Sequence, residues 1–378
     1  MNFVKNLLIS SIKYIPGWRT KRKIVVFESD DWGSIRMPSK STYQALIKEG
    51  VPLNDCRYNK FDSLANDEDL ASLFEVLTSF KDQKGSPAKF TPLSLTANPD
   101  FEKIEAAKFQ EYQYEELPET LRKYGPNHQN AFKLWQEGIN QGFFQPQFHG
   151  REHLNVYLWM NALREGSPEA RLGFQYKTFG LPVESYTGRK NNFMAAFDYN
   201  SEEEFKTMPP IIREGAHLFK KIFSYKPFAF QAPCGIWSAR LEADLKNSGL
   251  TVIQTGVAQY EPMISENPNK FRKNIRYLGM KSKNGLVFTI RNCRFEPSVL
   301  GSRDWVDLCL SDIKKAFYWN KPAIISSHRV NFIGAIEPEN RKKGLKQLKA
   351  LLREITKKWP EVEFMTSGEL GKLIIKEK

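Results

Sequence analysis

Short apolar runs alternate with helical patterns about eight times along the chain, and this alternation most constrains the fold. The runs are rich in β-branched and aromatic residues, which favour strands. They cover residues 23–27, 90–96, 143–148, 227–230, 251–255, 286–290, 323–326 and 362–365. The clearest helical spacing of apolar residues falls in residues 69–80, 239–248 and 339–358. The pattern predicts parallel strands joined by crossover helices.

Two architectures contain such strands: a closed (β/α) barrel and an open, doubly wound sheet. No Gly-x-Gly-x-x-Gly follows the first strand, and the chain has no Gly-x-x-x-x-Gly-Lys-Ser/Thr. Because these patterns mark the nucleotide-binding versions of doubly wound sheets, their absence favours the barrel. We therefore predict an α/β fold, an irregular (β/α) barrel of seven or eight strands.

One domain is expected to hold almost the whole chain. A length of 378 residues would allow two or three average domains, but barrels with insertions also reach it. Residues 97–127 and 155–226 are longer than normal connections, so we expect them to be insertions at the barrel rim. The predicted domain covers residues 21–378, with its main insertion at about 155–226.

Residues 1–20 form a short amphipathic segment that we expect to pack on the body of the protein or, alternatively, to make weak peripheral contact with a membrane. Its apolar positions are Phe3, Leu7, Leu8, Ile12 and Ile15. The apolar run is too short for a signal peptide and no cleavage site follows it. No stretch approaches 18 apolar residues, so we expect no transmembrane segment and a cytoplasmic location.

The formal net charge of +13 would suit nucleic acid, an anionic membrane surface or an acidic glycan. Solvated lysine-rich helix faces would give the same charge. The basic residues are dispersed and match no nucleic-acid-binding module, so we do not expect nucleic acid to be a partner.

Three of the five histidines follow predicted strands: His149, His153 and His328. In a parallel β/α fold the reactive groups lie just past the carboxyl ends of the strands. His149 and His153 are four residues apart, so their imidazoles can share one face and hold a divalent metal ion. A carboxylate from another strand end would complete a common catalytic zinc set. A pair of histidines at this spacing also occurs on helix surfaces without a metal.

Asp30 and Asp31 directly follow the first predicted strand. Adjacent carboxylates repel each other when partly buried, and a metal ion would compensate for that repulsion. One aspartate could bind the metal while the other acts as a base on water, although a pair that caps a helix is the alternative. His328 ends the strand next to them in a closed barrel, where a histidine suits a general acid or, alternatively, the core.

Five ordered motifs resemble those of the polysaccharide deacetylases, carbohydrate esterase family four. Asp30 and Asp31 resemble the aspartates of its Thr-Phe-Asp-Asp-Gly motif, and His149 and His153 resemble its His-Ser/Thr-x-x-His motif. The family's Arg-x-Pro-x-Gly motif appears here as residues 231–235, Gln-Ala-Pro-Cys-Gly.

Asp304 and Trp305 resemble the Asp-Trp end of the family's fourth motif, and His328 resembles the strand-end histidine of its fifth motif. The resemblance implies that Asp30 is the catalytic base, that His328 is the general acid and that Asp31, His149 and His153 bind a divalent metal. Zinc is the expected metal, with cobalt or nickel as alternatives. The residues expected to bind or support substrate are Trp32, Gln231, Pro233, Gly235, Asp304 and Trp305. If the two tryptophans are exposed they could stack on sugar rings, although a tryptophan more often belongs to the core.

Three positions depart from the family pattern. Trp32 stands between the aspartate pair and Gly33, and Gly150 stands where the family has Ser or Thr. Gln231 replaces the arginine that pairs with the catalytic aspartate in the family. Arg151, Arg303 or Arg329 are candidates to replace that arginine.

The resemblance implies a metal-dependent hydrolase that removes acetyl groups from a polysaccharide or glycan. N-acetyl is preferred over O-acetyl, which makes the enzyme a hydrolase of carbon-nitrogen amide bonds other than peptide bonds. The net charge leaves room for an anionic substrate. Because of Gln231, a second hypothesis is a metal-binding glycan-binding protein of the same fold with impaired catalysis.

Overall fold

A curled parallel sheet forms the centre of the protein. The computed structural model describes residues 14–182 and 186–377. Its strands are β1 (Lys23–Trp32), β2 (Phe90–Leu95), β3 (Ala97–Pro99), β4 (Tyr114–Glu116), β5 (Gln147–Gly150), β6 (Ala229–Phe230), β7 (Val252–Thr255), β8 (Ala258–Pro262), β9 (Phe271–Ile275), β10 (Val287–Ile290), β11 (Cys293–Arg294), β12 (Ala323–His328) and β13 (Val362–Phe364).

The main sheet has the spatial order β10-β7-β6-β5-β2-β1-β12-β11, and β13 pairs with the start of β1. All of these pairings are parallel. The strands β2, β5, β7 and β10 are buried along their whole length, which explains why they are mostly apolar rather than alternating. Two antiparallel hairpins, β3–β4 and β8–β9, lie outside the sheet.

The two edge strands of the main sheet, β10 and β11, are separated in the chain by Arg291 and Asn292 alone. The amide of Arg291 donates to the carbonyl of Thr255 at the end of β7, at 3.0 Å. The next amide, that of Asn292, donates to the carbonyl of Ile324 in β12, at 3.1 Å. The chain therefore crosses from one edge of the sheet to the other and closes an irregular barrel. The predicted (β/α) barrel is confirmed.

Helices surround this sheet. Most of them bury apolar residues in the core that contains the sheet, and the others form two smaller apolar clusters. They are α1 (Lys40–Lys48), α2 (Arg57–Phe61), α3 (Asp67–Thr78), α4 (Phe101–Ala106), α5 (Leu117–Lys123), α6 (Ala131–Asn140), α7 (Val156–Arg164), α8 (Pro168–Gln175), α9 (Glu202–Phe223), α10 (Glu242–Asn247), α11 (Trp305–Tyr318), α12 (Pro338–Lys358) and α13 (Ser367–Lys376). In α12, Leu348, Leu351 and Ile355 are buried at the predicted helical spacing.

Helix starts differ from the sequence prediction where capping decides them. The helix expected over 69–80 begins at Asp67, because Asn66 caps it and forms a capping box with Asp69. Within the long segment 155–226, α9 begins at Glu202 because Ser201 caps it.

The predicted insertions contain helices and one small hairpin. Residues 97–127 include the β3–β4 hairpin, α4 and α5, and residues 155–226 include α7, α8 and α9. The single-domain division at residue 21 stays a prediction. Residues 1–13 lie outside the described part of the chain, while Tyr14 and Trp18 are buried and Ile15 is exposed. Among the described helices, none is both long and apolar enough to span a bilayer.

Candidate metal centre and active site

The carboxyl ends of β1, β5 and β12 bring the candidate residues together. In the pairing of β1 with β12, Asp30 is the register partner of His328. His149 lies near the end of β5, two strands from β1 in the sheet order. The end of the seventh predicted strand thus adjoins that of the first, as expected for a closed barrel.

A bulge at the end of β1 gives Asp30 and Asp31 different surroundings. The pairing of β1 with β2 shifts register between Ser29 and Trp32, so the two aspartates lie in the irregular part of the strand. Asp31 has a φ of 74°, a left-handed conformation that costs a non-glycine residue about 1–3 kcal/mol. As a result, the two neighbouring carboxylates contact different partners.

Asp31, His149 and His153 form a buried cluster whose candidate ligand atoms all lie within 4.8 Å of one another. Asp31 Oδ1 is 3.1 Å from His153 Nε2 and 3.6 Å from His149 Nε2. The Nδ1 of His149 is 2.7 Å from the backbone carbonyl of Gln231, a contact in which Nδ1–H donates. His149 Nε2 is buried and has no hydrogen-bond partner among the described residues.

These three residues fit a divalent metal ion. Two imidazole nitrogens and one carboxylate oxygen are a typical catalytic zinc set, and the carbonyl behind His149 fixes the ring as second-layer partners of zinc ligands do. Burial raises the pKa of Asp31, but His153 and His149 outweigh it and hold that pKa well below its usual value. Burial lowers the pKa of His153, against the effect of Asp31. The cluster therefore offers an ionised carboxylate and a neutral imidazole, the forms that bind metals.

Asp30 is bound by Arg291 through both carboxylate oxygens. Arg291 Nη2 donates to Asp30 Oδ1 at 2.6 Å and Nη1 donates to Oδ2 at 2.8 Å. The Nε of the same guanidinium donates to Glu28 Oε2 at 2.8 Å, and Glu28 also accepts from the hydroxyl of Ser367. Burial raises the pKa of Asp30, but the charge and hydrogen bonds of Arg291 outweigh it and lower the pKa. Asp30 is therefore an oriented, ionised carboxylate.

His328 is held by a carboxylate on the side away from Asp30. Its Nδ1 is 2.6 Å from Glu296 Oε1, while its Nε2 is 3.7 Å from Asp30 Oδ2. Glu296 also accepts hydrogen bonds from Arg57 at 2.8 Å and from the amide of Asn331 at 2.9 Å. Burial lowers the pKa of His328, but Glu296 outweighs it and raises the pKa to about 9. His328 is thus protonated at neutral pH and can act as an acid.

In the described residues, no contact joins Gln231 to Asp30. Its backbone carbonyl orients His149, and its side-chain nitrogen donates to the carbonyl of Ala232 at 3.3 Å. Pro233 begins a short 3₁₀ turn in which Gly235 has a φ of 67°, a conformation suited to glycine. Through the Gln231 carbonyl, this segment orients one histidine of the Asp31, His149 and His153 cluster.

The suggested replacements for the motif arginine are wrong, because each has another partner. Arg151 binds Glu152 and Glu214. Arg329 donates to both carboxylate oxygens of Asp62, and Arg303 lies over the ring of Trp305. The cation beside the candidate base is Arg291.

The expectation of exposed, sugar-stacking tryptophans is also corrected. Trp32 is fully buried, packs edge-on against Phe90 and Phe144, and donates from its indole nitrogen to Ser29. Trp305 is buried as well, since only 4% of it is exposed. Both rings belong to the core, where they have no free face for a sugar.

Asp304 is exposed and caps α11, accepting a hydrogen bond from the amide of Asp307 at 2.9 Å. Its described contacts are structural. The two remaining histidines have no part in the cluster: His128 is buried against the carbonyl of Leu64, and His217 is exposed on α9.

Sequence reasoning missed Arg291 and Glu296. Arg291 immediately follows the predicted strand over 286–290, so the strand-end rule, applied to that strand as well, would have included it. Glu296 follows β11, a strand of only two residues that leaves no apolar run in the sequence. No comparable signal marked Glu296.

No protein-family model matches the chain, and no curated protein matches it in sequence. Solved structures match over most of its length. A candidate polysaccharide deacetylase from Mycobacterium smegmatis has 10% identity and a TM-score of 0.43, covering 96% of this chain and 93% of that chain. A candidate glycoside hydrolase or deacetylase from Parabacteroides distasonis has 10% identity and a TM-score of 0.49, covering 96% and 74%.

The peptidoglycan deacetylase PdaC from Bacillus subtilis has 10% identity and a TM-score of 0.35, covering 94% of this chain and 93% of that chain. The matched structures therefore include the class of protein that the sequence motifs resemble. Because the identities and TM-scores are low, the function proposed below rests on the residues of the site.

Proposed function

We propose that the protein is a metal-dependent hydrolase that removes acetyl groups from a polysaccharide or other glycan, with the N-acetyl amide as the expected bond. One observation carries the proposal. The carboxylate of Asp30, oriented by Arg291, lies beside the Asp31, His149 and His153 cluster and is 3.7 Å from a histidine that is protonated at neutral pH. A base, an acid and a metal site in one place are the groups that amide hydrolysis needs.

Asp31, His149 and His153 would hold the metal ion. A bound divalent cation supplies Lewis-acid chemistry at the acetyl carbonyl. The donor set of two imidazoles and a carboxylate suits zinc, with cobalt and nickel as alternatives.

Asp30 takes the proton of the attacking water. Arg291 donates one hydrogen bond to each oxygen of Asp30. Each carboxylate oxygen has a second lone pair, which can receive the proton of water. Since the pKa of Asp30 is lowered, the carboxylate is ionised and ready to act as a base at neutral pH.

His328 gives its Nε2 proton to the leaving nitrogen. An amine leaves from the tetrahedral intermediate only after protonation, and Glu296 keeps the imidazolium charged until then. The separated pKa values of Asp30 and His328 fit opposite roles, one as base and one as acid. An acid of this kind supports the amide rather than the ester as the bond that is cut.

The second hypothesis, a glycan-binding protein with impaired catalysis, depends on Gln231. Arg291 supplies the cation that position 231 lacks, so this observation favours a competent base. A glycan partner and a zinc cofactor remain part of the proposal.

The test is acetate release by the zinc-loaded protein, with zinc content measured on the same sample. N-acetylglucosamine oligosaccharides and peptidoglycan fragments are suitable substrates. We expect Asp30→Asn and His328→Ala to lower the rate by about 10²- to 10⁴-fold each. His217→Ala removes an exposed imidazole from α9 and serves as the matched control with an unchanged rate. Stoichiometric zinc with no acetate from any acetylated glycan would overturn the proposal.

A further inference from the structure

Arg36 lies at the edge of the candidate active site. It follows Asp31 by five positions, in the loop after β1. Its guanidinium carbon is 5.2 Å from the ring centroid of Tyr58. The ring of Tyr58 packs edge-on against His328, with centroids 5.6 Å apart. One aromatic ring therefore separates Arg36 from the proposed general acid.

Most N–H groups of Arg36 are available for a ligand. One of them lies 2.9 Å from the thioether sulfur of Met194, which is a weak acceptor. In the described part of the chain, its guanidinium contacts this sulfur and the Tyr58 ring and lies close to Gly180, and no ion pair joins it to a carboxylate, although its charge acts on Asp62. Contact with an aromatic face leaves the in-plane donors of a guanidinium free. Arg36 is half-buried, so its charge is only partly solvated.

The carboxylates of the site already have cationic or histidine partners. The pairs are Asp30 with Arg291, Asp31 with His149 and His153, Asp62 with Arg329, and Glu296 with Arg57 and His328. Arg36 is therefore a surplus positive charge beside the site. A partly buried cation without a partner is unfavourable, and a bound anion would compensate for it.

The backbone around Arg36 is fixed before any ligand binds. The amide of Ile35 donates to Asn98 Oδ1 at 2.9 Å, and the amide of Met37 donates to the carbonyl of Asp62 at 3.2 Å. The backbone at Gly180 lies close to the Arg36 guanidinium, and a Cβ atom there would lie 2.5 Å from Arg36 Nη1. The side chain itself lies against Tyr58, Met194 and Gly180, so it loses little freedom on binding a ligand.

We propose that Arg36 binds a carboxylate group of the substrate, so that the glycan is an acidic one with a uronic acid or similar sugar beside the acetylated residue. This inference rests on the proposed function. The planar guanidinium matches a carboxylate through two parallel hydrogen bonds. A single arginine balances the one charge of a carboxylate, whereas a phosphate would leave further charge unpaired. The net charge of +13 also suits an acidic substrate.

Two oligosaccharides that differ only in charge provide the test. One is a tetrasaccharide of alternating glucuronic acid and N-acetylglucosamine, and the other is the same molecule with its carboxyl groups reduced to alcohols. Calorimetry measures their binding to zinc-loaded protein, and acetate release gives kcat and KM. We expect the acidic molecule to bind about tenfold more tightly or better, as charge-assisted hydrogen bonds allow. In Arg36→Gln this preference disappears through KM, with kcat little changed.

Arg171→Gln is the matched control. Arg171 is also half-buried and lies over an aromatic ring, 3.7 Å from the Phe109 centroid, so its loss should leave the preference intact. Arg36→Lys, which keeps the charge but not the planar fork, should keep part of the preference. Equal binding of the two oligosaccharides by the wild type, binding of neither, or a preference that survives in Arg36→Gln would overturn the inference. Calorimetry measures binding without turnover. A lack of acetate release would therefore contradict the proposed function, while the binding preference would still test the role of Arg36.

Discussion

Arg291 donates hydrogen bonds to both carboxylate oxygens of Asp30, at 2.6 and 2.8 Å, although 261 positions separate the two residues in the chain. The contact exists because Arg291 lies where the chain crosses between the edge strands β10 and β11, at the same end of the barrel as the end of β1. Barrel closure and orientation of the candidate base thus depend on one short segment.

The first prediction concerns this contact. Arg291→Lys keeps the positive charge but cannot bind both oxygens of Asp30 and also reach Glu28 in the same geometry. We expect kcat for acetate release to fall by about 10- to 100-fold, less than the loss from removing the base itself. Steady-state kinetics on zinc-loaded protein measure this. A lysine variant with the full wild-type kcat would show that Asp30 does not need two-point contact.

The second prediction concerns pH. The active form has His328 protonated and Asp30 ionised, so activity should be high at neutral pH and should be lost as pH rises through the His328 pKa of about 9. Burial lowers this pKa and Glu296 raises it above the ordinary histidine value, so Glu296→Gln should lower it and move the alkaline limb of kcat/KM to lower pH. Kinetics from pH 5 to 10 test the shift.

Glu339→Gln is the control for this pH measurement, because Glu339 is an exposed residue of α12 whose carboxylate pairs with Lys342. Its alkaline limb should match that of the wild type. An alkaline limb that stays in place in Glu296→Gln would mean that another group sets it.

The third prediction concerns the metal. Zinc at about 100 times its dissociation constant should add about 2.7 kcal/mol to the free energy of unfolding, because the ion binds the folded state. His149→Ala should remove both this gain and the bound zinc. His128→Ala is the control, since His128 is also buried but contacts the carbonyl of Leu64 instead of the cluster. Denaturant titrations and elemental analysis measure both quantities, and equal zinc stabilisation in the two variants would contradict the assignment.

The sheet was predictable because its strands are buried on both faces. Each of the eight apolar runs overlaps a strand of the main sheet, whose parallel order follows from crossover helices. The hairpin strand β9 was not predictable in this way, since its sequence Phe271–Ile275 is half polar and largely accessible. This strand is stabilised by its pairing with β8. Its sequence shows no alternation of apolar and polar residues that would have marked it as a strand.

The candidate site was predictable where its residues follow long strands. Asp31, His149 and His153 stand at the ends of β1 and β5, and the structure brings them together. Hydrogen-bond partners from other elements were not predictable, because the pairing of Asp30 with Arg291 or of His328 with Glu296 depends on how the barrel closes. Local sequence patterns contain no information on that closure.

The fourth prediction tests how α12 supports the site. Gly344 lies in α12, and a Cβ atom there would come within 1.7 Å of the carbonyl oxygen of Asn331. In an exposed helix, Gly→Ala stabilises by about 0.5–1 kcal/mol. Here we expect Gly344→Ala to destabilise the fold by about 1–3 kcal/mol, because the helix or the Asn331 turn must shift. Lys343→Ala, at an exposed neighbouring position, is the control in urea titrations.

Asn331 links this packing to the chemistry. Its amide donates to Glu296 at 2.9 Å and to the hydroxyl of Ser327 at 2.9 Å. A displaced Asn331 would withdraw support from the carboxylate that holds His328, so the alkaline limb of Gly344→Ala should move in the same direction as that of Glu296→Gln. A gain in stability with an unmoved pH profile would show that α12 does not press against the Asn331 turn in solution, and that Glu296 is held by its other partners, such as Arg57, alone.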